Sequence, residues 1–328
     1  MFDIRRREFI TFLGGAAAAW PLAARAQQSI KLVRIGYLEP GSTSVDRVYL
    51  EAFRAGLRDL GYVEGKNFVI EDRWADGNYE RLPALAEELV RLNVNVIVAQ
   101  ASPAALAAKK ATATIPIVAM SGDLLGSGLV ASLNRPGGNV TGLTFFQPEV
   151  TAKRIELLRE IIPQSSRVAV LFNPNNTLAP LAIQTMALTA TSLKLELQQF
   201  EVRRSEEFAS AFSAMNARRA DAVVVVDDSL IFNSYNLVAD LAMAQRLPSI
   251  ALPNFPEAGG LMGYGVDWAA ESRKLALFVH KIIRGATPDH LPVEQATKFK
   301  LVINLKVAKT LGIAIPSLLL SWADEVIE

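Results

Sequence analysis

Residues 94–102, VNVIVAQAS, are followed along the chain by residues 114–120, TIPIVAM. The same order returns in residues 221–229, DAVVVVDDS, and residues 247–253, LPSIALP. Each copy indicates a buried strand with a polar end, then a helix, a proline and a second apolar strand. Strands that alternate with helices form parallel sheets covered on both faces, so the repetition predicts an α/β chain with two lobes of one design.

The patterns around these stretches extend both copies. Residues 32–42, LVRIGYLEPGS, and residues 167–177, RVAVLFNPNNT, each place an apolar run before a loop that contains proline. Residues 68–74 and 195–202 indicate the next strands, and helical patterns lie between. After residue 261 the duplication ends, and the remaining tail is long enough to cross between the lobes more than once.

The composition is that of a folded globular chain. The 328 residues are 51% hydrophobic, and 34 Lys plus Arg balance 33 Asp plus Glu. No basic surplus is available to neutralise phosphates, so we expect no nucleic-acid partner. The chain has no cysteine, which excludes disulfides, thiolate metal sites, thiol nucleophiles and a lipid-modified cysteine. The motifs HExxH and GxSxG are absent, so we expect no enzyme, no metal and no other cofactor.

Two histidines and one acidic pair remain as candidates for chemistry. His280 lies in an amphipathic helical pattern and His290 in a loop beside prolines, positions typical of structural residues. Asp227 and Asp228 end a strand, where adjacent side chains point to opposite faces. We therefore do not expect them to act as a general acid and base on one substrate, and two carboxylates are few for a hard cation.

Residues 1–26 have the pattern of a cleaved export signal. Basic residues precede a short apolar stretch, and residues 24–26, ARA, fit a small-x-small cleavage site. Residues 6–10, RREFI, fit the twin-arginine pattern, although Arg5 stands where that pattern prefers Ser or Thr, and a general secretory signal is the alternative. We expect a soluble periplasmic protein without a lipid anchor, since no later stretch is long and apolar enough to span a bilayer.

Polar residues cluster at the ends of the predicted strands, where open α/β sheets bind their ligands. Helix N-termini with Ser or Thr hydroxyls suit a carboxylate, and Asp side chains suit an ammonium group. For the serines and Asn175, helix capping is the alternative to ligand contact. Nearby aromatic residues such as Phe232 either line a pocket or belong to the core. The expected ligand-binding residues are Glu39, Ser42, Ser102, Asp123, Asn173, Asn175, Asp227, Asp228, Asn254 and Tyr264.

The glycine-rich stretch 120–142 follows an apolar strand pattern but lacks the features of a phosphate loop. Gly128 is followed by Leu129 instead of lysine, and the spacing does not match GxGxxG after a first strand. We therefore expect Asp123 to face the cleft, with Gly126 and Gly128 opening the next helix.

Four stretches resemble the ABC transporter substrate-binding protein family related to the tryptophan and tyrosine binders. They are residues 111–118, residues 122–144, residues 259–267 and residues 295–316. The resemblance implies a type I periplasmic binding fold, in which two Rossmann-like, doubly wound parallel-sheet lobes are joined by a hinge. The implied crossovers lie near residues 141–146, 261–264 and 296–301. The implied lobes are residues 30–142 plus about 262–298, and residues 143–261 plus about 299–328.

Two positions depart from the pattern of that family. Leu124 follows Asp123 where the family commonly has proline, and Gly263 precedes Tyr264 where serine is usual. The missing proline leaves the backbone of the loop less restricted, and the missing serine removes a hydroxyl. Both departures bear on the identity of the substrate more than on the fold.

The expected function is that of a monomeric solute-binding protein of an ABC importer. It would close two lobes over a small polar, amino-acid-like ligand and deliver it to a membrane permease with its ATPase. Asp123 of the first lobe and Asp227 or Asn173 of the second are the residues expected to hold that ligand. The alternatives are a ligand sensor for a membrane receptor and an extracytoplasmic enzyme on the same fold.

Overall fold

The computed structural model describes residues 32–328, so the predicted export signal lies outside the described residues. Strands and helices alternate from the start of the described part. The first run consists of β1 (Val33–Glu39), α1 (Thr43–Asp59), β2 (Phe68–Trp74), α2 (Leu82–Arg91), β3 (Val96–Gln100), α3 (Ala101–Ala111), β4 (Ile117–Ser121) and β5 (Val140–Thr144).

A second run repeats this alternation, and a third run completes both sheets. The second run consists of α4 (Gln147–Ile161), β6 (Arg167–Phe172), α5 (Ala179–Ser192), β7 (Glu196–Glu201), α6 (Phe208–Ala217), β8 (Ala222–Val225), α7 (Ser229–Asn233), α8 (Tyr235–Ala244) and β9 (Ser249–Ala251). The third run consists of β10 (Met262–Val266), α9 (Trp268–Ile283), β11 (Glu294–Gln295), β12 (Phe299–Asn304), α10 (Leu305–Leu311), α11 (Ser317–Trp322) and β13 (Glu325–Ile327).

The strands form two separate sheets, which confirms the predicted α/β class with two lobes. The first sheet has the order β11-β5-β4-β3-β1-β2, and the second has the order β13-β12-β10-β9-β8-β6-β7. Pairing is parallel in both sheets except between β10 and β12. We call the first sheet with α1, α2, α3 and α9 the first lobe, and the second sheet with its helices the second lobe. None of the helices in residues 32–328 combines the length and hydropathy that a bilayer crossing requires.

The repeated stretches occupy equivalent places in the two sheets. In the first lobe β3 pairs in parallel with β4, and in the second lobe β8 pairs in parallel with β9. Every residue of these four strands is buried, as continuous apolar runs in parallel sheets require. The polar residues that follow β3 and β8 therefore lie at the carboxyl edges of the two sheets.

The chain crosses between the sheets three times. It leaves the first sheet after β5, returns to the first lobe between β10 and α9, and passes to the second sheet between β11 and β12. The implied lobe limit at residues 142 and 143 falls within β5, and residue 262 begins β10 of the second sheet. Phe146, at the first crossing, has a φ of 49°, a left-handed conformation that turns the chain into α4.

A close helix contact shapes the wall of the first lobe. Helices α1 and α9 pack side by side, and Gly56 of α1 lies against the backbone of α9. A Cβ atom at Gly56 would stand 2.3 Å from the carbonyl oxygen of Arg273, so a glycine is needed for this approach. The contact holds Asp46 and Tyr49 of α1 beside Trp268 of α9 at the edge of the cleft.

Candidate functional site

A cavity lies between the two lobes at the carboxyl edges of their sheets. Its accessible volume is about 50 Å³, and it is partly open to solvent. Its lining comprises Glu39, Asp46, Tyr49, Tyr79, Ala101, Ser102, Pro103, Gly122, Phe145, Gln147, Asn176, Asp227, Asp228, Ser229, Phe232, Leu252 and Trp268.

The N-terminus of α3 forms one part of the wall in the first lobe. No side chain caps this helix at Gln100, and Ala101 adopts a φ of 58°, which is rare for a residue with a side chain. The Ser102 hydroxyl hydrogen-bonds the Ser121 hydroxyl at 2.7 Å. The first N–H groups of a helix lack partners within the helix and carry partial positive charge. This end of the cavity can therefore accept a carboxylate.

Two carboxyl groups form another part of the same wall. Glu39 ends β1 and Asp46 lies in the first turn of α1. The Gly41 N–H donates to Glu39 at 3.2 Å, and the Ser42 N–H donates to Asp46 at 2.9 Å. Burial raises the pKa of Asp46 to about 7, and burial with the neighbouring Asp46 charge raises the pKa of Glu39 well above its ordinary value.

In the second lobe a buried arginine supports Asp227. Arg154 of α4 is 0% exposed, and its Nη1 donates to the Asp227 carboxylate and to the Val225 carbonyl at 2.9 Å. Its Nε donates to the Tyr264 carbonyl at 2.8 Å. Burial raises the pKa of Asp227, and the Arg154 guanidinium opposes that effect. Within the described part of the chain, Oδ2 of Asp227 has no hydrogen-bond partner.

Asp228 joins the two lobes. Its Oδ1 accepts from the Leu230 N–H at 2.9 Å and so caps α7. Its Oδ2 accepts from the Tyr79 hydroxyl of the first lobe at 2.7 Å, and that hydroxyl accepts from the Ser229 N–H at 3.0 Å. Burial raises the pKa of Asp228, while the hydrogen bonds from Tyr79 and Asn173 oppose this. One phenol therefore makes two hydrogen bonds across the cleft.

Aromatic side chains from both lobes close the remaining side of the cavity. The ring centroids of Tyr49 and Phe232 are 6.0 Å apart, and those of Tyr49 and Trp268 are also 6.0 Å apart. Phe145 meets Trp268 edge to face at 5.5 Å. Rings at these separations pack favourably with one another and with a flat apolar group of a ligand.

Four of the ten residues predicted for the site line the cavity, namely Glu39, Ser102, Asp227 and Asp228. Asp123, which was also predicted, lies outside this lining. Its Oδ1 accepts from the N–H groups of Leu125 and Gly126 at 3.0 and 2.8 Å, so it stabilises its own loop. This loop is a series of turns and not the expected helix.

The other five predicted residues lie beside the cavity or away from it. Asn173 donates to Asp228 at 3.2 Å and accepts from the Asn175 N–H at 3.0 Å, so both support Asp228 from behind. Ser42 contacts Asn233 across the cleft at 3.5 Å. Asn254 lines an outer groove of the second lobe. Tyr264 stacks on Phe299, with 6.1 Å between ring centroids.

Several lining residues were not predicted from the sequence. Asp46 and Tyr49 are three residues apart at the start of the helix after β1, a spacing that places both on one helix face. Arg154, which supports Asp227 from behind the lining, is one of several charged residues in α4, so the sequence did not distinguish it as buried. Tyr79 gave no signal, because it lies in a 3₁₀ turn whose position depends on the tertiary structure.

Comparison with known proteins gives consistent results. A profile of the family described as ABC transporter substrate binding protein matches residues 43–327. The tyrosine-binding protein of Clostridioides difficile is 26% identical over 263 residues, which cover 80% of this chain and 75% of that protein.

Solved structures resemble this one over nearly its whole described length. A conserved domain protein from Vibrio cholerae superposes with a TM-score of 0.85 at 29% identity, covering 90% of this chain and 100% of that chain. An ABC domain from Streptococcus pneumoniae in complex with L-Trp has the same TM-score of 0.85 at 26% identity, with coverage of 90% and 100%. The predicted type I periplasmic binding architecture is confirmed by such relatives.

Proposed function

This chain belongs to the ABC transporter substrate binding protein family, and from that premise we propose that it captures a small amino-acid-like zwitterion between its two lobes. Its relatives in that family are binding proteins, so binding without chemical conversion is the expected activity. On the outer side of the membrane the protein, acting as a monomer, would pass the ligand to a membrane permease that works with an ATPase.

One observation carries this proposal: an uncapped helix N-terminus and four carboxyl groups line the same cavity between the lobes. The N–H groups of α3 and the Ser102 hydroxyl suit the carboxylate of a zwitterion. The carboxyl groups of the wall suit its ammonium group. Tyr49, Phe232 and Trp268 would then contact its side chain, which favours an aromatic or large apolar group.

Residues from both lobes line the cavity, which supports binding by closure. Glu39 and Ser102 come from the first lobe, whereas Asp227 and Phe232 come from the second. A ligand that touches both walls favours the closed arrangement by the free energy of its extra contacts. The names of the similar proteins, a tyrosine-binding protein and a domain in complex with L-Trp, point to the same ligand class.

The test compares free and blocked amino acids by thermal unfolding of the purified chain. L-tryptophan and L-tyrosine are added alongside N-acetyl-L-tryptophan and L-tryptophan methyl ester. A ligand at a hundred times its Kd stabilises the fold by about 2.7 kcal/mol, so a free amino acid that binds raises Tm clearly. Blocking either charge is expected to remove most of that rise.

Recovery of the bound amino acid unchanged would exclude turnover. A rise in Tm with both blocked derivatives equal to that with the free amino acids would contradict recognition of a zwitterion. No rise with any amino acid would contradict the ligand class. Asp240 is an exposed carboxylate on α8. The variant Asp240→Asn is the matched control and should behave as the native chain does.

A further inference from the structure

Glu39 and Asp46 are two buried carboxyl groups without a positively charged neighbour. Glu39 is 5% exposed and Asp46 is 4% exposed. Among residues 32–328 no Lys, Arg or His contributes to the charge balance of either group. Each has one backbone N–H donor, from Gly41 and Ser42 respectively. A group of this kind ionises only at a high energetic cost.

The loop before α1 fixes the position of this pair. Gly41 lies so close to Asp46 that a Cβ atom there would stand 1.7 Å from Oδ2 of the Asp46 carboxyl. The carboxyl group therefore packs on the backbone of the loop that also carries Glu39. The loop thus contacts both carboxyl groups and fixes the position of the pair in the wall of the cavity.

The opposite wall adds a second observation that points to a positively charged ligand group. Asp227 is 7% exposed, lines the same cavity, and has an Oδ2 atom that no described residue contacts. Four carboxyl groups line the cavity, and within the described residues the lining contains no Lys, Arg or His. Arg154 balances one of these carboxyl groups from behind. The remaining negative charge is available for protons or for a cationic group of a ligand.

From these contacts we infer that Asp46, beside Glu39, is protonated before a ligand binds and releases its proton when the ammonium group of a ligand binds beside it. The carboxyl O–H bond breaks, its proton passes to the solvent, and the ammonium N–H groups then donate to the carboxylate. Capture of the ligand thus releases about one proton. The inference rests on the proposed function, because it requires a ligand that bears an ammonium group.

Other titratable groups face the pair from several elements. Burial raises the pKa of Tyr37 on β1, Tyr49 on α1, Tyr79 and Tyr235, so these phenols stay neutral near pH 7. Lys300 lowers the pKa of Asp267, which precedes α9. Asp227 and Asp228 face the pair across the cavity. All these groups remain when Asp46 alone is replaced, so a difference between the native chain and that variant reports on the pair.

The first experiment measures binding of L-tryptophan and L-tyrosine by calorimetry in two buffers with different heats of ionisation. The native chain should release about one proton near pH 6, and its affinity should be about tenfold weaker at pH 6 than at pH 8. The variant Asp46→Asn should release almost none and bind with little dependence on pH. Asp240→Asn should match the native chain. Equal proton release by the native chain and Asp46→Asn would overturn the inference.

The second experiment needs no ligand and tests the proton on Asp46 directly. The folded protein holds this proton up to a pKa of about 7, whereas the ordinary pKa is 3.8. Stability should therefore fall as pH rises from about 4 to about 7, since the folded state binds more protons over that range. Asp46→Asn should lose most of this dependence, and Glu39→Gln serves if that variant does not fold.

The two experiments separate the two hypotheses. If neither amino acid binds but stability of the native chain falls with pH more steeply than that of Asp46→Asn, the ligand class is wrong and the protonated Asp46 stands. If an amino acid binds without proton release and both proteins show the same dependence of stability on pH, the proposed function stands and the protonated Asp46 is wrong.

Discussion

Asp227 and Asp228 in the second lobe each have strong partners, whereas within residues 32–328 no cation balances Glu39 or Asp46 in the first lobe and each accepts from one backbone N–H. Asp227 is paired with Arg154, and Asp228 caps a helix while it accepts from Tyr79. Both pairs line one cavity. The carboxylates of the second lobe thus hold the structure together, whereas the carboxyl groups of the first lobe have no counter-charge among the described residues.

The largest expected effect comes from removing the partner of Asp227. The variant Arg154→Met leaves a buried carboxylate without a counter-charge and three backbone or side-chain acceptors without a donor. We expect the free energy of unfolding to fall by about 3–5 kcal/mol, measured by urea denaturation. Lys153→Met on the same helix removes a half-exposed ion pair with Glu156 and should cost less than about 1 kcal/mol. Equal losses of stability in the two variants would contradict the structural role assigned to Asp227 and Asp228.

The next effect tests the contrast between the pairs directly. Asp227→Asn leaves the buried Arg154 charge unbalanced and should cost about 2–3 kcal/mol at pH 8, since the amide still accepts one hydrogen bond. Asp46→Asn removes a carboxyl group that has no cation to balance, so it should raise stability at pH 8. Urea denaturation of both variants at pH 8 measures the two changes in the free energy of unfolding. A change in stability of the same sign in both variants would contradict the difference between the two pairs of carboxyl groups.

The smallest effect concerns the contact between the lobes. Tyr79→Phe removes two hydrogen bonds across the cleft, to Asp228 and from Ser229, and leaves the ring in place. We expect the closed state to lose about 1 kcal/mol, which corresponds to about fivefold weaker binding of L-tryptophan by calorimetry. Tyr62→Phe removes a hydroxyl that contacts His280 away from the cavity and should leave affinity unchanged. A full native affinity in Tyr79→Phe would show that this phenol does not stabilise closure.

The repeated strand patterns were sufficient to predict the two sheets and the edge at which the cavity lies. Strands such as β3 and β8 are continuous apolar runs, and their polar ends must then meet solvent or a ligand at the carboxyl edge. The same reasoning placed Asp227 and Asp228 at that edge because they directly follow a strand. It could not tell which of the polar residues at a strand end turn back to bond their own loop, as Asp123 does.

The residues that were missed depend on contacts between elements far apart in the sequence. Trp268 joins the site because α9 returns to pack on α1, and Gln147 joins it because the first crossing turns at Phe146. The Nε2 atom of Gln147 donates to the Asp227 carbonyl at 3.0 Å. No local pattern in the sequence carries such information, since each contact requires the crossings to be in place.

The three crossings also set the order in which the chain can finish folding. The first lobe needs α9 and β11, and the second needs β10, β12 and β13, all of which come from the last stretch of the sequence. During synthesis both lobes therefore have unpaired sheet edges and an uncovered helix face until the C-terminal residues have been made. Loss of a few residues at the C-terminus would first remove β13 from the edge of the second sheet, and a longer truncation would leave both lobes incomplete and prone to aggregation.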